Sequence, residues 1–228
     1  ALSGSEKVNK ENLPEVITAV KKENKAIVAP KRMRVTYTLT VDTNAVPAGK
    51  LVRCWLPYPR TDQARQRDVK FISASEPEYV FSPQECRHST LYMEKRAVQG
   101  EPTVFSETFE YTSCGEWHNL RAEDVLPYDT TAALYKEYTA EREKHIVFSP
   151  RLRELAAKLT AGETNPYLKA KRIFRWINDH FPWASAREYS TIENIPEYVL
   201  DNRHGDCGQV SLLFITLCRI SGIPAHFQ

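Results

Sequence analysis

The hydrophobic period of this chain changes twice. Over residues 13–24, Val16, Ile17 and Val20 recur at helical spacing, which predicts a short amphipathic helix with Pro14 in its first turn. Lys21, Lys22 and Lys25 gather near its end, where the helix dipole favours cations. Packing against the domain that follows is its expected role. From Met33 the period falls to two: Met33, Val35, Tyr37, Leu39 and Val41 alternate with Arg34, Thr36, Thr38 and Thr40, the pattern of a half-buried strand. Further short strands are expected over 51–56, 69–74, 90–95 and 103–112, with turn residues Pro47-Ala48-Gly49 and Gly100-Glu101-Pro102 between several of them. Short strands in such succession predict an antiparallel, sandwich-like N-terminal domain over 30–115, preceded by an extension over 1–29.

The character shifts near Trp117. Residues 116–148 read as a connector, charged and rich in tyrosine, and helical spacing returns at 149. Ser149-Pro150 and Asn165-Pro166 are each a capping residue followed by a first-turn proline. The first helix carries Leu152, Leu155, Ala156 and Leu159; the second carries Ala170, Ile173, Phe174, Ile177 and Phe181 on one stripe. A third helix begins at Cys207 or Gly208. Val210, Leu213, Phe214, Leu217 and Cys218 form its apolar face, which Leu212 and Ile215 widen, so this helix is expected at the centre of a core. Gly222 and Pro224 supply its stop. The helical unit is placed at 149–228, and the fold class is α+β.

Composition narrows the function classes. An apolar share of 42% with 26% charged residues is that of a globular chain rather than a disordered one. With 31 basic and 29 acidic residues the net charge is +2, which offers no general attraction for nucleic acid. No apolar run reaches the ~18–20 residues that span a bilayer. The chain opens on Ala1 and is polar through Asn12, as in a mature chain after signal-peptide removal or a trimmed soluble start. A secreted or cell-envelope protein is therefore expected, with a cytoplasmic one still open. Cys54, Cys86, Cys114, Cys207 and Cys218 form no dense framework, and an odd number leaves at least one unpaired within the chain.

The candidate chemistry lies in His204-Gly205-Asp206-Cys207-Gly208-Gln209. Gly205 permits a tight approach, Asp206 is a good N-cap, and Cys207 falls in the first turn of a buried helix. The free backbone N–H groups and the positive dipole end there favour a thiolate over a thiol. The same N–H groups suit the oxyanion formed when sulfur attacks an acyl carbon. Position alone fits a small inert cysteine beside a cap equally well.

The longer words extend the picture. Val199-Leu200-Asp201-Asn202-Arg203-His204-Gly205-Asp206-Cys207-Gly208-Gln209 and the continuation from Leu213 to Arg219-Ile220-Ser221-Gly222-Ile223-Pro224-Ala225 resemble the nucleophile motif of the transglutaminase-like superfamily. Lys171-Arg172-Ile173-Phe174-Arg175-Trp176-Ile177 is similar to the helix that precedes that motif. The resemblance covers 149–228, and more weakly the β-rich part, which is similar to the accessory domain of bacterial members. It implies the helical half of a papain-like transglutaminase core, a Cys-His-Asp triad and a thioester acyl-enzyme. The reaction it implies is that of a peptidase or amidase on peptide or protein amides. The alternatives are an amine-accepting cross-linking transferase and a non-catalytic scaffold that uses the same fold. The family's histidine and aspartate lie downstream of the cysteine helix, so this chain by itself is expected to be inactive and the full-length protein to be the enzyme. No cofactor is expected.

Other residues carry weaker signals. Asp206, Gly208, Tyr189 and Trp183 are candidates for the oxyanion site or the acyl pocket, although aromatics in such loops are more often packing residues. His204 is a solvated loop histidine before it is a base, and His180 is a C-terminal dipole partner. His226 follows the helix and is expected ~20 Å or more from Cys207. Cys218 shares a helix face with Cys207 but lies ~16 Å along the axis, in the core. Cys86-x-His88 and Cys114-x-x-x-His118 admit a zinc site, a disulfide or free thiols, the last being favoured, and no metal is assigned.

Overall fold

The structure is a computed structural model that describes residues 4–86, 88–185 and 187–227, with the side chains of 4–11 outside the description. Ala1 and Gln228, which bound the sequence reading, therefore fall outside it. Two units are resolved, Ala1–Asn119 and Leu120–Gln228.

The first unit opens with α1 (Gly4–Glu23) and continues as β1 (Ile27–Val41), β2 (Leu51–Pro57), β3 (Gln66–Ala74), β4 (Tyr79–Phe81), β5 (Thr90–Arg96) and β6 (Thr103–Glu116). The helix starts earlier than its apolar spacing predicts, and Pro14 lies inside it rather than in its first turn. Proline removes one main-chain donor there. Val16 rests on β6 at Gly115, where an added Cβ would overlap it.

The strands form two antiparallel three-stranded sheets, ordered β1-β6-β3 and β2-β5-β4. Alternation along β6 turns Phe105, Glu107 and Phe109 inward. Phe105 meets Cys54 and Leu56 of β2 and Leu91 and Met93 of β5 in one apolar cluster, with Val52, Phe71 and Ala74 around it. β1 departs from expectation. Its period of two is real, yet Met33, Tyr37 and Leu39 are each 41–42% exposed. β1 is an edge strand whose one ladder neighbour is β6, and the buried cluster is built from β2, β5 and β6.

Glu107 is the exception inside the first unit. Its residue is 1% exposed, and neither carboxyl oxygen has a hydrogen-bond partner among the described residues. Burial pushes its pKa up to about 7. The same surroundings raise the Cys54 thiol and the Tyr58 phenol, each first by burial and then by the Glu107 charge.

The second unit is helical: α2 (Ala133–Thr139), α3 (Pro150–Thr160), α4 (Pro166–His180), α5 (Ile195–Asn202) and α6 (Cys207–Ile220). The expected start signals operate as caps. The Ser149 hydroxyl accepts from the Leu152 N–H, and the Asn165 side chain accepts from Tyr167 and Leu168. The α6 positions Leu212, Leu213, Ile215, Leu217 and Cys218 are buried, in one cluster with Leu152 and Ala156 of α3, Ile173 and Ile177 of α4, and Val199 and Leu200 of α5. Truncating a fully buried leucine such as Leu213 typically costs about 2–5 kcal/mol. Phe174 breaks the α4 stripe, since it is 60% exposed. Gly222 adopts φ 76°, the left-handed conformation that glycine takes without a Cβ penalty, and the Ile223 N–H returns to the Cys218 carbonyl at 2.9 Å. No described helix is long and apolar enough to cross a membrane.

Candidate active site

Cys207 is the first residue of α6, and it is exposed at the end of a helix whose following turns are buried. The turn before it is fixed from three directions. The Asp206 carboxylate accepts the Gln209 N–H at 2.8 Å, while the Gln209 side-chain oxygen accepts the Asp206 N–H at 3.3 Å, a reciprocal capping box. Gly205 packs tightly, since a Cβ there would come to 3.2 Å from Val199 and Gln209. Its carbonyl accepts the Ala184 N–H at 3.0 Å, part of a parallel bridge that places Trp183 alongside Gly205. The Trp183 side chain is 70% exposed, so this ring is not a core residue.

Tyr189 belongs to a short 3-10 turn, Tyr189–Thr191, on the loop that leads toward α5. Its hydroxyl donates to the Asp206 carboxylate. It also fills the space above Gly208, where a Cβ would overlap the phenol oxygen. The Tyr189 pKa is pushed up to about 12, first by burial, then by the hydrogen bond to Asp206 and its charge, with a contribution from Cys207. Asp206, Gly208 and Tyr189 thus meet beside Cys207. A carboxylate only accepts, so Asp206 acts here as the acceptor that holds the turn.

Gln209, at the end of the motif, holds both the cap and the neighbouring loop. Its residue is 1% exposed, and its side-chain nitrogen donates to the Arg187 carbonyl at 3.2 Å while its oxygen serves the capping box. The signal was legible as Asp-x-x-Gln at a helix start. Arg187 itself was not readable, because its contribution is a backbone carbonyl.

The histidines separate. His180 ends α4, where its Nδ1 lies 2.7 Å from the Trp176 carbonyl and its ring stacks on Trp176. His226 stacks on Tyr138 at 4.3 Å. His204 sits in the turn before Cys207 with a buried Nδ1 that has no hydrogen-bond partner among the described residues. The other cysteines are free thiols: Cys54, Cys114 and Cys218 are buried and Cys86 is exposed. Cys114 accepts from Arg67 at 2.9 Å, and burial pushes the Cys218 pKa up to about 12. The described residues contain no cluster of metal-ligating side chains. A cleft of about 790 Å³ is lined by Lys144, Arg187, Thr191, Glu193, Glu197 and Tyr198 among others, with Cys207 outside its lining.

The arrangement is a thiol at the open tip of a rigid, capped helix, with glycines on the chain either side of Asp206-Cys207 and an exposed aromatic alongside. Residues 153–228 match the family model of the transglutaminase-like superfamily. A solved structure of a candidate cysteine protease from Cytophaga hutchinsonii has the same fold, with a TM-score of 0.64 and 18% sequence identity over 87% of this chain. The chain spans 66% of the length of that protein. No curated protein matches by sequence. The α+β class is shared with that solved structure.

Proposed function

We propose that the protein is a cysteine enzyme that cleaves amide bonds, with Cys207 as its nucleophile. The observation that carries this reading is the placement of an exposed thiol at the first position of a buried, capped helix within the superfamily segment. Inert cysteines are usually buried, as Cys54, Cys114 and Cys218 are. A thiol held at a helix tip is instead presented to a carbonyl.

In this scheme the Cys207 sulfur bonds to the acyl carbon as the carbonyl π pair moves to oxygen. The N–H groups of Cys207 and Gly208, in the first turn of α6, receive that oxyanion; the N–H of Gln209 is already used by the cap. Collapse expels the amine, which takes up a proton, and leaves a thioester. Water then attacks the thioester carbonyl, the C–S bond breaks, and the carboxylic acid leaves as the thiol is regenerated. Trp183 forms one wall of the acyl pocket, consistent with its exposure and its bridge to Gly205. The resemblance assigns proton transfer to a histidine oriented by an aspartate, and none of His180, His204 and His226 is assigned that part. The substrate class is peptide or protein amide, as the candidate-protease relative suggests for its own case.

The test is made on the full-length protein with a fluorogenic peptide amide and an amide-mimicking thiol probe. Cys207→Ser is expected to lose at least about a thousandfold in kcat and all probe labelling at this position. Turnover unchanged in that variant overturns the reading. Adding a primary amine reveals the acceptor: hydrolysed product in its presence marks an amidase, and amine adduct marks a transferase.

A further inference from the structure

We infer that Tyr189 is a positioning residue that sets the reactivity of Cys207 through the Asp206 carboxylate, an inference that rests on the reading of Cys207 as the nucleophile. A helix cap needs one acceptor for the N–H at its third position, and Asp206 supplies it to Gln209. The phenol of Tyr189 is an additional donor to the same carboxylate oxygen, brought from the loop between α4 and α5. Three contacts fix it there: the bond to Asp206, the close seat on Gly208, and the Gln209 amide that holds the loop at Arg187. A cap alone requires none of the last two.

A carboxylate directly before a thiol in the chain opposes formation of a thiolate. A phenol proton drawn into that carboxylate offsets part of its charge and fixes the direction in which it points. The Tyr189 pKa of about 12 keeps this proton in place throughout the working range. A phenol has one proton to give, so while it serves Asp206 it is not an oxyanion donor. Its role is to moderate the field at the thiol.

The other charged groups on the elements packed here are already engaged. Arg187 is bonded to Thr191, and the Glu188 carboxylate accepts from Ser190. Arg203 lies over the Phe181 ring, and Glu197 and Asp201 of α5 are bound by Arg151. His204 is the one nearby ring nitrogen without a partner among the described residues.

The experiment follows alkylation of Cys207 by iodoacetamide against pH, read by peptide mass spectrometry on the chain of 228 residues. Exposed Cys86 is the internal control. Tyr189→Phe is expected to move the Cys207 profile to higher pH and to slow labelling at pH 7 by about 3- to 10-fold, with Cys86 unchanged. Asp206→Asn keeps a capping side chain but removes the charge, and moves the profile to lower pH. Adding Tyr189→Phe to Asp206→Asn then has no further effect. A Cys207 profile that stays in place in Tyr189→Phe overturns the inference, and so does an equal shift at Cys86. If Tyr189→Phe fails to fold, Tyr189→Leu, which also removes the hydroxyl, takes its place with the same expected shift. Alkylation needs no turnover, so failure here is distinct from failure of the nucleophile assignment, which is read by Cys207→Ser on substrate.

Discussion

Gly208 shows how much of the site rests on a single missing Cβ. Glycine is a poor helix former, and in an open first turn alanine would stabilise by up to about 1 kcal/mol. Here an alanine Cβ overlaps the Tyr189 oxygen, and that oxygen cannot retreat without leaving Asp206. The clash is expected to outweigh propensity, so Gly208→Ala loses about 1–2 kcal/mol in urea unfolding. The ring carbon bearing the hydroxyl would stay 3.2 Å from that Cβ, a tight but tolerable approach. Tyr189→Phe removes the overlapping oxygen and is therefore expected to recover most of the loss. A double-mutant cycle measures this, and additivity of the two changes would refute it.

Among the elements, α6 carries the largest structural demand, because it is both the core of its unit and the support of the nucleophile. Arg219 near its end is 5% exposed, and its guanidinium donates to the carbonyls of Ala225 and Ala140 at 2.8 Å and to Glu137 at 3.4 Å. It thereby joins α2, the last turn of α6 and the segment after Gly222. Arg219→Met preserves length but leaves those carbonyls without their charged donor, at an expected cost of about 2–4 kcal/mol. Hydrogen exchange checks the location: protection should fall at 137–140 and 222–225 before it falls in α3 or α4.

The same elements show what the sequence could and could not reveal. The helices with polar caps and prolines at their starts, α3 and α4, announce themselves, since local chemistry decides where they begin. α6 was legible from its apolar breadth. α5 was read only as motif text, although Asn194 caps it and Pro196 lies in its first turn, because at eight residues it presents too little apolar period. α2 lay within the supposed connector for the same reason, with no buried residue to mark it. The three-residue β4 exists through its pairing with β5, a tertiary cause that no local pattern encodes. At the site, Cys207 and its cap were readable, as was the Asp-x-x-Gln box. The convergence of Tyr189 and Arg187 on that cap comes from loop geometry, which residue spacing does not determine.

Taken over both units, the feature with the widest thermodynamic reach is Glu107 in the first one. A carboxyl with no hydrogen-bond partner among the described residues is tolerated in an apolar interior chiefly as the neutral acid. Its folded pKa of about 7 lies above the ordinary 4.5. Between those two values the folded chain keeps a proton that the unfolded chain releases. The stability associated with this proton is full below pH 4.5, falls as pH rises through the window, and is gone above about pH 7. The loss is on the order of 2–3 kcal/mol. Urea unfolding followed by hydrogen exchange should therefore find β2, β5 and β6 less protected at pH 8 than at pH 5, after correction for intrinsic exchange, with the α6 core unaltered by this group. Glu107→Gln keeps the shape and cannot ionise, so its β-unit stability should be level across the same range. A wild-type β unit equally stable at pH 5 and pH 8 would mean that Glu107 finds a partner or water when ionised, and that its isolation among Phe105, Cys54 and Tyr58 is relieved at little cost.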